Sequence, residues 1–273
     1  MPEEKNKFTL AKLREYLQSK KDEVMTDVSI TSYVTKPRAG DGSVDPRVVV
    51  WADPKSHISE QFRSLRTNIM SLSLENPLQA FLVTSSLRGE GKTISSANLA
   101  TVFAQDTEKK TILIDADLRK PNIHRVFGIP REPGLTEILN GKASLEHFTA
   151  KPRVDNLYII PAGQGPSNPS ELLNSSQMQK LIADLRTQFN WMVFDIAPIL
   201  AVTDAGVLGG HLDGSLMVVR AGKTQAVDVE RAYSLLIENK AKPIGSIMTA
   251  VVTYIPYYLY RYRYIYSRHY YGA

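Results

Sequence analysis

Cysteine is absent from the 273 residues. That excludes disulfide scaffolds, thiol catalysis, iron–sulfur clusters and cysteine-bound zinc. Histidine is scarce, and the five that occur are scattered rather than gathered as a metal cage would need. No apolar run approaches the roughly 18 residues of a membrane span. The charged start, Met1-Pro-Glu-Glu-Lys-Asn-Lys, has no apolar stretch of signal-peptide type behind it, so a cytosolic chain is expected. Acidic residues are missing from the last twenty positions, which carry Arg261, Arg263 and Arg268. The net charge of +5 thus leaves only +2 on the other 253 residues. That balance is too even for a nucleic-acid surface, and no nucleic-acid partner is expected.

What is present is ordinary for a globular protein, with 43% hydrophobic and 22% charged residues. The length fits one large domain with appendages. Residues 1–55 read as an N-terminal appendage and linker, with a helical candidate at Leu10, Leu13 and Leu17 followed by Pro37, Gly40, Gly42 and Pro46. Residues 56–253 read as the main domain. A helix is predicted from Ser59, because Phe62, Leu65, Ile69 and Leu72 share one face. Beyond Asn76-Pro77, strands are predicted at 80–84, 111–114, 157–161, 191–194, 215–219 and 244–252. Helices are predicted over 93–104, on the stripe Met178, Leu181, Ile182, Leu185 and Phe189, and on Val229, Ala232, Tyr233 and Leu236. This alternation predicts an α/β fold with a predominantly parallel central sheet, helices on both faces and ligands at the carboxyl ends of the strands.

The first strand runs through Ser85-Ser86-Leu87-Arg88-Gly89-Glu90-Gly91-Lys92-Thr93 directly into a helix. That is the context of a phosphate loop. Glycines let backbone N–H groups converge on phosphate oxygens, the helix N-terminus adds positive dipole, Lys92 supplies a mobile charge and Thr93 offers a hydroxyl to Mg²⁺. Ser86 stands where the standard pattern has its first glycine. The second strand ends in Asp115-Ala-Asp117, two carboxylates that reach the loop's tip and can hold Mg²⁺ or take a proton. Asp195 ends the strand 191–194. Alone it is as readily a capping residue, but in this company it becomes a candidate Mg²⁺ acid.

Taken together, these residues resemble the bacterial tyrosine kinases, P-loop proteins that autophosphorylate a C-terminal tyrosine cluster and govern capsular or exopolysaccharide export. The resemblance runs from about Ser59 to the C-terminus. It rests on Thr84-Ser85 with Gly89-Glu90-Gly91-Lys92-Thr93, the Walker A′ stretch 112–119, Asp195 with Pro198, Lys120-Pro121 with His124 and Phe127, and the stretch 168–173. It rests too on Asp213-Gly214 leading to Val219-Arg220, and on Glu60-x-x-Arg63-x-x-Arg66 in the helix upstream. Spacing alone would make that last triplet a solvated face; the resemblance makes it an oligomerisation helix. Arg88 replaces the family's usual proline, Ile196-Ala197 replace its Thr-Pro, and Thr249 stands where relatives often have an adenine-proximal Asn.

The resemblance implies a P-loop NTPase fold with ATP and Mg²⁺ as cofactors. Gly89, Glu90, Gly91, Lys92, Thr93 and Ile94 would bind the nucleotide, and Thr93, Asp115 and Asp195 the metal. Lys92, Asp115 and Asp117 would be catalytic, with Asp115 as the base. The acceptors would be Tyr254, Tyr257, Tyr258, Tyr260, Tyr262, Tyr264, Tyr266, Tyr270 and Tyr271 in a flexible tail, residues 254–273, that enters a neighbour's site in a ring. A separate membrane-spanning chain-length regulator would recruit and activate the kinase at the inner face of the plasma membrane, and a tyrosine phosphatase would oppose it. Two other readings stay open, a degenerate kinase acting as a scaffold and a nucleotide-switched partition or septum-positioning ATPase. The alternating Tyr and Arg of the tail could also form an amphipathic edge or an interfacial membrane strip.

Overall fold

The computed structural model describes residues 43–75, 77–144 and 154–251. The helical candidate at Leu10, Leu13 and Leu17, the linker positions Pro37, Gly40 and Gly42, and the nine tail tyrosines lie outside the described residues. Six strands follow in chain order: β1 Ala80–Ser85, β2 Thr111–Asp115, β3 Leu157–Ile160, β4 Trp191–Asp195, β5 Gly214–Arg220 and β6 Pro243–Thr249. The helices are α1 Val49–Ala52, α2 His57–Glu75, α3 Lys92–Ala104, α4 Ile123–Val126, α5 Leu135–Leu139, α6 Pro169–Leu173, α7 Ser176–Arg186, α8 Asp204–Gly209 and α9 Ala226–Glu238. The strands lie in the order β3-β2-β4-β1-β5-β6, every neighbouring pair parallel. Among the described residues no helix is long and apolar enough to cross a membrane.

The strands are continuous apolar runs because both faces of the sheet are covered. Side chains alternate between the faces. Ala80, Leu82, Ile112, Ile114, Met192 and Phe194 enter a core closed by α7, α8 and α9. Phe81, Val83, Leu113 and Val193 enter a second core closed by α2 and α3. There Phe103 of α3 packs its ring 4.4 Å, centroid to centroid, from that of Trp191. The helix α7 starts where the Ser175 hydroxyl accepts the Met178 N–H at 3.2 Å. At the foot of β1, Asp213 accepts the N–H groups of Gln79 and Ala80 at 2.9 and 2.8 Å and pairs with Arg186 through both carboxylate oxygens.

Most boundaries agree with the sequence reading within two residues, and three differences bear on the packing. Phe189 lies past the end of α7, yet it is buried in the first core. The last strand stops at Thr249 instead of 252, because its partner β5 ends at Arg220, which pairs with Thr249. Packing also begins before residue 56: Val44, Val48 and Val50 are buried in the second core. Asn98 of α3 ties them down, its Oδ1 accepting the Val50 N–H at 3.0 Å and its Nδ2 donating to the Arg47 carbonyl at 2.9 Å. Pro46 and the polar residues around it mark a turn, and that turn masks three valines that belong to the core.

Register decides where the site falls. Strands β2, β4 and β1 are adjacent, with Asp115 opposite Asp195 and Asp195 opposite Val83. The carboxyl ends that carry the acids therefore meet the loop leaving β1, at the point where the chain's crossovers diverge. Asn98 supplies a test of the packing. Asn98→Ala strips the buried Val50 N–H and the part-buried Arg47 carbonyl of their partners, so it should lower the unfolding free energy by about 1–3 kcal/mol. Denaturant titration reads that loss, and hydrogen exchange should show the Val50 amide losing protection.

Candidate active site

The loop between β1 and α3 is shaped by glycine and held from outside. Gly91 has φ +99°, and a Cβ there would stand 3.3 Å from Cγ2 of Thr249, so conformation and space both call for glycine. Helix α3 begins at Lys92, and its unpaired N–H groups and positive end face the loop. On the far side, Arg220 Nη1 donates to the Gly89 carbonyl at 3.2 Å and Thr249 Oγ1 to the Glu90 carbonyl at 2.6 Å. In a trans peptide the N–H points opposite to the C=O. Pulling these two carbonyls toward β5 and β6 thus turns the amides of Glu90 and Gly91 the other way, toward the cavity.

Glu90, expected from sequence to bind nucleotide, has its side chain turned inward. It is 2% exposed. One carboxylate oxygen accepts the Leu87 N–H at 3.0 Å and the other accepts the Thr224 hydroxyl, which in turn accepts the Arg220 N–H at 3.1 Å. Sequence reasoning missed Thr224 and this use of Arg220 and Thr249. The available signal was a hydrogen-bonding residue at or just beyond the end of each of two strands flanking the loop.

The predicted catalytic residues converge. Lys92 Nζ lies 2.8 Å from Asp117 Oδ2 and 3.7 Å from Asp195 Oδ1. Thr93 Oγ1 donates to Asp195 Oδ2 at 2.7 Å, and Ser96 donates to Asp195 Oδ1 at 3.1 Å. Asp115 is fully buried; its Oδ2 accepts the N–H groups of Asn122 and Ile123 at 3.1 and 3.0 Å, while its Oδ1 has no hydrogen-bond partner. Burial, and then the charge of Asp195, push the Asp115 carboxyl up to about 8. Burial also raises Asp195, against the pull of Lys92 and the Thr93 hydroxyl. Burial alone would lower Lys92, but Asp195 and Asp117 hold it above its ordinary value.

A cavity of about 580 Å³ opens over this cluster. Gly89, Gly91, Lys92, Thr93 and Ile94 line it, together with Asp117, Arg119, Lys120, Arg125 and Arg131. Arg88 stands exposed at its rim. Ala197 and Pro198 also line it, whereas Ile196 is fully buried in the first core, so the Ile196 departure is absorbed by packing. Arg119 is tied to the buried Asp204 at 2.8 Å. Away from the cavity, Arg63 pairs with Glu60 on the outer side of α2, while Arg66 turns in to the Val102 carbonyl at 2.8 Å.

No group of three or more acidic or histidine side chains among the described residues could cage a metal unaided. The oxygens present suit an ion that arrives with phosphates and keeps its waters: Thr93 Oγ1 against Asp195, and the buried, unpartnered Oδ1 of Asp115. The outer anchor of the loop is testable. Thr249→Val keeps the packing on Gly91 and removes the donor to Glu90, so nucleotide binding should weaken by about 3- to 10-fold in calorimetry, with Thr249→Ser close to the parent.

Comparison with known proteins joins this geometry to a family. The model of a family described as AAA domain matches residues 83–210, from within β1 to the end of α8. Tyrosine-protein kinase YwqD of Bacillus subtilis strain 168 is 41% identical over 201 residues, which span 74% of this chain and 84% of that protein. Tyrosine-protein kinase CpsD of Streptococcus agalactiae serotype III is 34% identical over 193 residues, 70% and 82% of the two chains. Among solved structures, the kinase domain of the Escherichia coli tyrosine kinase ETK superposes with a TM-score of 0.71 at 29% identity, over 89% of this chain and 91% of that one. Similarity of that extent covers the loop, all three aspartates and the strands that carry them, and the chain belongs to the bacterial tyrosine-protein kinases.

Proposed function

We propose that the chain transfers the γ-phosphoryl group of ATP to tyrosines 254–271 of a neighbouring copy, and that this autokinase activity governs capsular or exopolysaccharide polymerisation and export. The observation that carries the reading is the set of three carboxylates around one phosphate-loop lysine, beside a cavity large enough for a nucleotide and an incoming side chain.

Phosphoryl transfer has a loose transition state, so positioning and electrostatics do most of the work. The amides of Glu90 and Gly91, the start of α3 and Lys92 hold the phosphates. Magnesium, when bound with ATP, supplies further charge neutralisation, and Thr93, Asp195 and Asp115 are the residues that would hold it or its waters. Contact with the phosphates draws Lys92 off Asp117, which then faces the metal or the acceptor. A tyrosine hydroxyl has a pKa near 10 and attacks poorly unaided. Asp115 orients it and takes its proton as the new P–O bond forms and ADP leaves. A carboxyl raised toward the phenol's own range is a better-matched acceptor for that proton than an ordinary aspartate.

The rest of the reading follows the family resemblance. Residues 56–253 act as the kinase domain, 254–273 as the acceptor tail and 1–55 as an appendage, with residues 44–52 lending their valines to the domain's core. Copies assemble as a ring through the α2 face bearing Glu60 and Arg63, with Arg66 bracing α2 on α3 behind it. A membrane-spanning chain-length regulator activates the kinase and brings it to the inner face of the plasma membrane, and a tyrosine phosphatase resets it. Nucleic acid has no part.

Intact-mass spectrometry after incubation with Mg·ATP, with a candidate activator segment added, should show steps of about 80 Da in the parent. These should vanish in Lys92→Ala and in a full-length chain whose nine tail tyrosines are phenylalanine. An unmodified parent that still binds ATP would overturn the kinase reading for this chain. The base has its own test. Asp115 must be deprotonated to accept a proton, and burial pushes it up to about 8 in the free protein, so kcat/KM for Mg·ATP should rise with pH through that range. Asp115→Asn should be slower by about 10²–10⁴-fold and lose that rise.

A further inference from the structure

The cavity carries more positive charge than its nucleotide side uses. Besides the residues of the phosphate loop, Lys120, Arg125 and Arg131 line it. None of the three has a carboxylate partner among the described residues. The acid lining the cavity, Asp117, is engaged by Lys92. Arg131 is held in place, its Nε donating to the Gly163 carbonyl at 2.8 Å while the Gly163 N–H returns a bond to the Arg131 carbonyl at 3.1 Å. Arg125 and Arg131 flank the same buried imidazole: burial first, then these two charges, push His124 down to about 4. Their positive field is thus fixed charge, with no imidazolium to add to it or take from it near neutrality.

The acceptor sequence makes this wall informative. Residues 254–273 contain three arginines and no acid, so the unmodified tail offers this wall no anion to bind. Each phosphotyrosine adds about −1.5 to −2 charges and three strong acceptor oxygens, which suit guanidinium donors. In Tyr260-Arg261-Tyr262-Arg263-Tyr264-Ile265-Tyr266 the tyrosines recur every second residue. Side chains two apart on an extended peptide share a face and sit about 7 Å from each other. That is a separation one cavity can span, with a phosphate at one position and a free hydroxyl at the next.

We infer that Lys120, Arg125 and Arg131 form a phosphotyrosine-binding subsite, so that a tail phosphorylated at one tyrosine becomes the better acceptor at the tyrosine two residues away. The inference rests on the proposed reading that the tail is the acceptor. Phosphorylation would then be self-promoting along the tail, and the doubly and triply modified forms would build up ahead of a random distribution.

The test uses the full chain with its nine tail tyrosines replaced by phenylalanine, so that added peptides are the sole tail acceptors. Two synthetic peptides of residues 254–273 are compared, one unmodified and one phosphorylated at Tyr262. The phosphorylated peptide should bind at least 10-fold tighter by fluorescence anisotropy, and its kcat/KM should exceed that of the unmodified peptide by a similar factor through KM. The pair Arg125→Gln and Arg131→Gln should erase both differences. It should leave the rate on the unmodified peptide and the KM for ATP within twofold of the parent. Equal binding of the two peptides, a preference that survives in the pair variant, or a raised KM for ATP in that variant would overturn the subsite, the last by assigning the wall to the nucleotide. If neither peptide is phosphorylated, yet the modified one binds tightly and that binding depends on Arg125 and Arg131, the subsite stands and the acceptor reading falls.

Discussion

Lys92 is one cation set against three buried aspartates at the floor of the cavity, and the catalytic end of the molecule is organised around that imbalance. Asp117 and Asp195 hold the ammonium at 2.8 and 3.7 Å. The third acid, Asp115, has no cation of its own; burial and the charge of Asp195 push its carboxyl up to about 8, with two backbone N–H groups on one oxygen and no partner on the other. Without nucleotide the cluster is closed on itself. In the proposed reaction, phosphates that draw Lys92 away would release carboxylate charge where a metal ion and a phenolic proton would arrive. The same residues that satisfy one another in the free protein are therefore the ones the proposed reaction uses.

The fold supplies the alignment this requires. Adjacent parallel strands put Asp115 and Asp195 side by side, and β1 delivers the loop to the same level. From the other flank, Arg220, Thr224 and Thr249 grip the loop through its carbonyls and through Glu90. Thr249 closes β6, five residues before Tyr254. The root of the proposed acceptor tail and the phosphate loop therefore share a hydrogen bond within one copy.

Much of this was legible in the chain. The apolar runs at 80–85, 111–115 and 191–195 announce strands buried on both faces, and each ends in the residues that form the site. The loop's glycines, Lys92 and Thr93 declare their chemistry by type and order. What stayed hidden depends on contacts between distant segments. Val44, Val48 and Val50 look like a linker until Asn98, about 50 residues on, is seen to receive them. Glu90 sits among phosphate-binding residues, and only the fold turns its side chain onto Thr224, 134 positions away. Arg66 completes a charged triplet in the sequence, but it spends its guanidinium on the end of α3. Pattern gives elements and chemical type; the direction a side chain takes is decided by tertiary packing.

The protonation of Asp115 tests this account most directly, and carboxyl carbon NMR of the nucleotide-free protein, labelled at aspartate and assigned by Asp115→Asn, measures it. The account predicts a resonance at the position of a protonated carboxyl at pH 6.5 that titrates near pH 8, far from the ordinary aspartate value of about 4. A resonance already at the ionised position at pH 6.5 would contradict it, because Lys92 would then face three buried negative charges and the proton acceptor would have to be sought elsewhere.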